Sequence, residues 1–220
     1  MHVREALLKR VSTRAFRPDP VSEAQVRDIL EAARYAPSGG NVQPWRIIVV
    51  SGAARAAATA TAQAVTRDET GERLIYPENL WEPYRTRRYK VGEDMYKLLG
   101  IPREDRPARL AHVARNYEFF GAPVGLFFVI ERAMGYGQWA HLGMLMQSIA
   151  LAAVERGLAT CMQEAWARAR DSLALLFELR PEEMIYAGMA LGYADDAAAV
   201  NTLRSDRAGV DEITTFLGFS

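Results

Sequence analysis

Two arginines and a serine alternate near the start of the chain. Arg10, Ser12 and Arg14 lie in the stretch KRVSTRAF, at the end of a short helix predicted over residues 4–10. In an extended chain alternate side chains point the same way, so two guanidiniums and a hydroxyl would converge. This group suits a phosphate, which accepts bidentate arginine contacts and O–H donors. A solvated helix end, with arginines near the C-terminal dipole, is the alternative.

Two further arginines stand near the C-terminus, in the stretch NTLRSDRAGV. Arg204 and Arg207 could supply more cations to the same anion. Surface arginines are an equal alternative, because the chain uses arginine for nearly all its basic residues and has lysine only at positions 9, 90 and 97.

The turn APSGGNVQPW, residues 36–45, carries more polar groups than a bend requires. Gly39 and Gly40 permit positive φ and let the backbone approach a ligand closely. Asn41 and Gln43 each offer a hydrogen-bond donor and an acceptor. These groups would suit the edge of a planar ligand that mixes donors and acceptors. The alternative is a turn whose polar side chains satisfy only local backbone groups.

A fourth candidate is TCMQEAW, residues 160–166, which follows the predicted helix C-cap at Gly157 and is predicted to be a loop. Gln163 and Glu164 could line a pocket, or the backbone N–H groups there could donate to a ligand. Cys161 is interpreted as a small buried hydrophobe, the commoner case.

A competing signal is GYGQWA at 135–140, which matches G-x-G-x-x-A after a predicted strand at 123–130. Four residues separate strand and first glycine, whereas a dinucleotide fingerprint needs a tight turn. We interpret it as a chance match. The histidines at 2, 112 and 141 are scattered, and neither a metal site nor a hydrolytic triad is predicted.

The elements that must position these residues follow from the hydrophobic pattern. Ser22 and Gln25 form a capping box, and Val26 begins an apolar helical face that ends before Pro37. Buried strands are predicted at 45–50, 123–130 and 184–191, with the tail ITTFLGF as a possible fourth. Further helices are predicted at 53–66 and along the apolar face from Leu142 to Ala153. This order indicates a layered domain with helices on both faces of a sheet.

Length and composition narrow the class of protein. At 220 residues the chain is predicted to be one domain, residues 1–220, with a helical excursion at about 67–104 that serves as a lid or a dimer flap. The formal net charge of zero does not favour nucleic-acid binding. No apolar stretch is long enough for a membrane span. Cys161 is the single cysteine and no signal peptide is evident, so a cytoplasmic location is expected.

These segments together resemble the FMN-dependent nitroreductase family. The resemblance is carried by RVSTRAF, AARYAPSGGNVQPWRIIVV, APVGLFFV, ERGLATCMQEAW and the C-terminal NTLRSDRAGVDEITTF, in that order over almost the whole chain. The C-terminal half is most similar to the nitroaryl or nitrobenzoate reductase branch. The resemblance implies an α+β, three-layer α/β/α fold with a central mixed sheet, in an intertwined homodimer with FMN at the dimer interface.

The resemblance also implies roles for single residues. One set would hold the FMN phosphate and ribityl chain: Arg10, Val11, Ser12, Arg14, Arg204 and Arg207. A second set would reach the flavin from the partner subunit: Pro37, Ser38, Gly39, Asn41 and Gln43. A third would face the flavin N5 edge with its backbone: Gln163, Glu164 and Ala165. Val11 and Ala165 depart from the family, since many members carry Arg or His and Gly there.

The hypothesis is then a ping-pong oxidoreductase, in which NAD(P)H reduces the flavin and a nitroaromatic, quinone or similar electron-poor small molecule reoxidises it. No side chain is named as catalytic, because the cofactor carries the chemistry. Three alternatives stay open. They are a flavin-fragmenting or reductively dehalogenating enzyme of the same fold, a Rossmann-type dehydrogenase that uses GYGQWA, and a non-enzymatic FMN-binding protein.

Overall fold

The computed structural model describes residues 1–71 and 75–219. Its helices are α1 (Val3–Lys9), α2 (Glu23–Ala33), α3 (Gly52–Ala64), α4 (Tyr84–Leu98), α5 (Arg106–Ala114), α6 (Tyr136–Glu155), α7 (Arg170–Leu176) and α8 (Val210–Ile213). Its strands are β1 (Arg46–Ser51), β2 (Val124–Glu131), β3 (Ala159–Gln163) and β4 (Glu183–Gly192). Short 3₁₀ helices cover Gly39–Asn41, Arg115–Gly121, Glu164–Ala169 and Ala199–Thr202.

The four strands form one sheet in the order β1-β2-β4-β3, and each neighbouring pair is antiparallel. The predicted strands at 45–50, 123–130 and 184–191 are confirmed. A mixed sheet was expected, but among the described residues the parallel component is a single bridge between Ser12 and Thr160.

Two predictions about strands are wrong. TCMQEAW does not start in a loop, because residues 160–163 belong to β3, which pairs with β4. The tail does not form a strand: Ile213 is the last residue of α8, and residues 214–219 are irregular. Phe216 and Leu217 of that tail are exposed. Because these side chains stay exposed in this chain, the tail gains no burial that would favour a strand.

Strand β2 shows why the domain has three layers. Leu126, Phe128 and Ile130 are buried in one core with residues of α2 and α6. Phe127 and Val129, which point the other way because side chains alternate along a strand, are buried in a second core with residues of α3 and α7. A central sheet with helices on both faces follows, as predicted.

Helix α2 begins as the sequence indicated. The Ser22 side chain accepts from the backbone N–H of Gln25, and the Gln25 side chain accepts from the backbone N–H of Ser22. Val26, Ile29 and Ala33 are buried against the sheet. Capping of this kind contributes about 1 kcal/mol and fixes where the helix starts.

The Rossmann alternative is wrong. A dinucleotide fingerprint connects parallel strands through a crossover helix, whereas the strand before GYGQWA is antiparallel to its neighbours. Gly135 is the N-cap of α6 with φ −71°, a conformation that any residue adopts.

In the described part of the chain, none of the helices combines the length and apolar character that crossing a membrane demands.

Candidate functional site

The predicted arginines meet in one cavity of about 390 Å³ between the N-terminal arm and the C-terminal segment. The predicted residues that line it are Arg10, Val11, Ser12, Arg14, Arg204 and Arg207. We call it the arginine cavity. The structure therefore brings together two sequence stretches from opposite ends of the chain.

Hydrogen bonds to Asn201 and Thr160 hold these two stretches in place. The backbone N–H of Thr13 donates to the carbonyl of Thr160 at 3.0 Å. The Asn201 side chain accepts from the backbone N–H of Arg14 at 2.8 Å and donates to the carbonyl of Ala15 at 2.8 Å. Sequence reasoning missed Asn201, because nothing in its local pattern marks an amide that joins the chain ends.

The arginine cavity has unbalanced positive charge. Within residues 1–71 and 75–219, none of its four arginines forms an ion pair with a carboxylate. Arg14 donates to the carbonyl of Ser12 at 3.2 Å, and Arg207 donates to Ser205 Oγ at 2.6 Å. The Nε of Arg10 is buried with no hydrogen-bond partner in the described structure. An orphaned buried donor among cations fits a bound anion, because leaving it unpaired costs about 1–3 kcal/mol.

The turn at 36–45 partly satisfies its own backbone. Ser38 Oγ accepts from the backbone N–H of Gln43 at 2.9 Å, and the Gln43 side chain donates to the carbonyl of Asn41 at 3.2 Å. Gly40 has φ 59°, and both Asn41 and Gln43 are also in the left-handed region, with φ 54° and 49°. An ordinary bend does not need three positive φ values in four residues. They indicate backbone strain and a conformation that the surrounding contacts must hold.

The same turn packs on the start of α6 and does not line the arginine cavity. The backbone N–H of Gly39 points at His141 Nδ1 from 3.4 Å. A Cβ on Gly39 would lie 3.0 Å from His141 Cε1, so a larger residue here would require the imidazole to shift. One copy of the chain thus leaves the two predicted binding regions apart.

The segment 163–165 has one side chain turned inward and one outward. Gln163 is buried; it donates to the carbonyl of Asn116 at 2.8 Å and accepts from Trp166 Nε1 at 3.2 Å. Its side chain is therefore structural, and only its backbone remains for a ligand. Glu164 instead lines a second cleft of about 680 Å³. Burial raises the pKa of the Glu164 carboxyl.

Comparisons with known proteins place the chain in one family. A model described as "Nitroreductase family" matches residues 7–193. The nitrobenzene nitroreductase of Ectopseudomonas oleovorans is 39% identical over 212 residues, 94% of this chain and 93% of that protein. The 4-nitrobenzoate reductase of Pseudomonas putida is 38% identical over 211 residues, 96% of this chain and 93% of that protein.

Two solved structures have the same fold. The FMN and NADPH-dependent nitroreductase NfnB from Sphigopyxis sp. strain HMH superposes with a TM-score of 0.95 at 41% identity, covering 100% of both chains. The FMN-dependent nitroreductase NfnB from Mycobacterium smegmatis, solved in complex with NADPH, gives a TM-score of 0.89 at 32% identity over 97% of both chains.

Proposed function

The chain belongs to the nitroreductase family, and from this premise we propose that it is an FMN-dependent oxidoreductase that uses NAD(P)H to reduce nitroaromatic, quinone or similar electron-poor acceptors. The arginine cavity carries the proposal. Four guanidiniums without a carboxylate partner in the described chain, beside a serine hydroxyl, are the donor set that a phosphate requires.

The arginines act by holding the cofactor. Charge-assisted hydrogen bonds contribute roughly 1.5–3 kcal/mol each, so Arg10, Arg14 and Arg207 together suffice for tight non-covalent binding. Arg10 would also satisfy its buried Nε in this way.

Strand β3 connects the phosphate end of the site to its ring end. Ser12 bridges Thr160, and Glu164 follows four residues later, which at 3.3 Å per residue is about 13 Å along the chain. The backbone N–H groups of 163–165 would donate to the ring and stabilise negative charge there. When bound, FMN would supply the two-electron transfer from NAD(P)H to the acceptor in a ping-pong sequence.

We also propose that the functional unit is an intertwined homodimer in the cytoplasm. The turn at 36–45 lies away from the arginine cavity of its own chain, which suits a role at the flavin of a partner. Exposed apolar side chains, among them Leu8, Leu110 and Leu217, offer surface for a second copy to cover. The single cysteine, which is buried, is compatible with a reducing compartment.

The excursion at about 67–104, which includes α4, is proposed as the acceptor-side lid of this single domain. Trp81, Tyr84 and Tyr89 are exposed on it. Large exposed aromatic rings on a helix without a fully buried side chain fit a role at a ligand or at a partner.

A spectroscopic experiment tests the function. The purified protein is expected to be yellow, with about one FMN per chain, and to bleach rapidly on addition of NADH or NADPH without oxygen. Nitrobenzene or a quinone should then restore the colour. Colour that never bleaches would favour FMN storage, and a colourless protein indifferent to added FMN would contradict the proposal. Halophenol turnover or loss of the flavin itself would favour a dehalogenase or a flavin-fragmenting enzyme.

A further inference from the structure

A cleft of about 680 Å³ lies beside the segment 163–165. We call it the aromatic cleft, because most of the side chains that line it are aromatic or apolar. They include Met134, Tyr136, Trp139 and Tyr186, and Glu164 lines it as well. Trp139 and Tyr186 meet edge to face with centroids 5.5 Å apart. Trp139 Nε1 donates to the carbonyl of Met134 at 2.9 Å, which fixes the indole. These rings form a rigid wall suited to a planar aromatic molecule.

Glu164 is exposed and presents its carboxylate at the edge of this largely apolar wall. In residues 1–71 and 75–219 its carboxyl forms no ion pair. Burial raises its pKa, and its charge adds to burial in raising the pKa of the Tyr186 phenol. A carboxyl with a raised pKa in a cleft is a signature of functional sites.

Two arginines also line the cleft, but each is held by the protein. Arg170 is buried and donates to the carbonyls of Ile185 and Thr70, both at 2.9 Å. Arg132 lies 3.6 Å from the carboxylate of Asp171. Neither arginine is a cause of the Glu164 pKa shift, which comes from burial alone.

We propose that the aromatic cleft receives the aromatic acceptor and that Glu164 selects uncharged nitroarenes over aromatic carboxylates. The inference rests on the proposed function, because it places the acceptor next to the segment that faces the flavin. A carboxylate substrate in this cleft would meet the like charge of the Glu164 carboxylate and be repelled by it. Glu164 is then a specificity-determining residue. The relatives include a nitrobenzene nitroreductase and a 4-nitrobenzoate reductase, so they do not decide between an uncharged and a carboxylate acceptor.

The test compares the wild type with Glu164→Gln, using nitrobenzene and 4-nitrobenzoate at pH 8. The glutamine variant should gain about tenfold in kcat/KM for 4-nitrobenzoate, the order expected from removing one repulsive charge, with little change for nitrobenzene. Glu182→Gln, a change at an exposed acid, is the matched control and should change neither.

A binding measurement gives a second readout that needs no turnover. Benzoate and benzamide are non-reducible analogues of the two acceptor classes, and their dissociation constants follow from the change in flavin absorbance. Glu164→Gln should tighten benzoate about tenfold and leave benzamide unchanged. Tyr136→Ala is a safe second variant because that ring is 93% exposed, and it should weaken benzamide about threefold to tenfold.

The outcomes separate the two proposals. A flavin-loaded protein that bleaches with NAD(P)H but shows the same acceptor preference and benzoate affinity in Glu164→Gln overturns the role of Glu164. Unchanged benzamide affinity in Tyr136→Ala overturns the assignment of the cleft. A wild type that contains no flavin or never bleaches instead overturns the proposed function.

Discussion

Ser12 pairs with Thr160 in a parallel bridge, and this contact attaches the N-terminal arm to the outer edge of strand β3. The adjoining hydrogen bond from the Thr13 N–H to the Thr160 carbonyl measures 3.0 Å. One strand thus has the arginine cavity beside its start and the segment 163–165 at its end. Backbone pairing along β3 therefore sets the direction of the proposed cofactor site, and the arginines of the cavity supply its positive charge.

Replacing Arg10 and Arg207 together with alanine should release FMN. Each arginine contributes a charge-assisted contact, so the affinity should fall by at least about a hundredfold. FMN content after gel filtration and titration of the apoprotein measure the effect. Arg27→Ala, on the exposed face of α2, is the control and should retain FMN. Full retention in the double variant would remove these residues from the site.

Glu69 should stabilise the start of α7 from a distant part of the chain. Its carboxylate accepts from the backbone N–H groups of Asp171 and Ser172, at 3.0 and 2.9 Å, and from Ser172 Oγ at 2.7 Å. Glu69→Ala should lower stability by about 1–2 kcal/mol, because helix N-terminal donors lose their acceptor. Thermal unfolding at matched FMN concentration measures this. Glu104→Ala serves as the exposed control, and equal melting of both variants would refute the capping role.

Gly188 should tolerate no side chain. A Cβ at this position would lie 2.4 Å from Trp166 Cδ1 and 2.8 Å from its Nε1, and Trp166 is fully buried. Gly188→Ala should therefore cost about 1–3 kcal/mol or more through overpacking. Gly92→Ala in α4, where a Cβ would meet no atom within 4 Å, should be neutral or stabilising. A stable Gly188→Ala protein would show that the indole can move.

His112 should make stability depend on pH in the acid range. It is 6% exposed, packs against Tyr96 and Phe120, and its Nε2 has no partner among the described residues. Burial, with the nearby cations of Arg115 and Arg14, lowers its pKa from 6.5 to about 4. Between these two pKa values the unfolded chain binds a proton at His112 and the folded chain does not. The free energy of unfolding therefore falls as pH drops from 6.5 towards 4, by at most about 3 kcal/mol.

Comparison with His112→Phe isolates this effect. Phenylalanine keeps an aromatic ring in the slot and cannot titrate. The stability difference between wild type and variant, measured by urea unfolding at pH 8 and pH 5, should shift in favour of the variant at pH 5. An unchanged difference would show that His112 does not contribute to the acid sensitivity.

Local patterns in the sequence determined much of this protein. The capping box at Ser22 and Gln25 fixes the start of α2. Short apolar runs predict β1, β2 and β4, because such a run acts over a few residues. The alternation of Arg10, Ser12 and Arg14 indicated an anion site on the same local ground, and those residues do line one cavity.

Only the tertiary structure decided what depends on contacts between distant residues. Strand β3 is only five residues long and has no strong apolar run, and its pairing with β4 makes it a strand. Gln163 turns inward because Asn116 and Trp166 satisfy its amide, and Asn201 joins the two ends of the chain. The 36–45 turn contacts His141, far along the sequence. No short window of sequence contains both partners of such contacts, so only the folded chain specifies them.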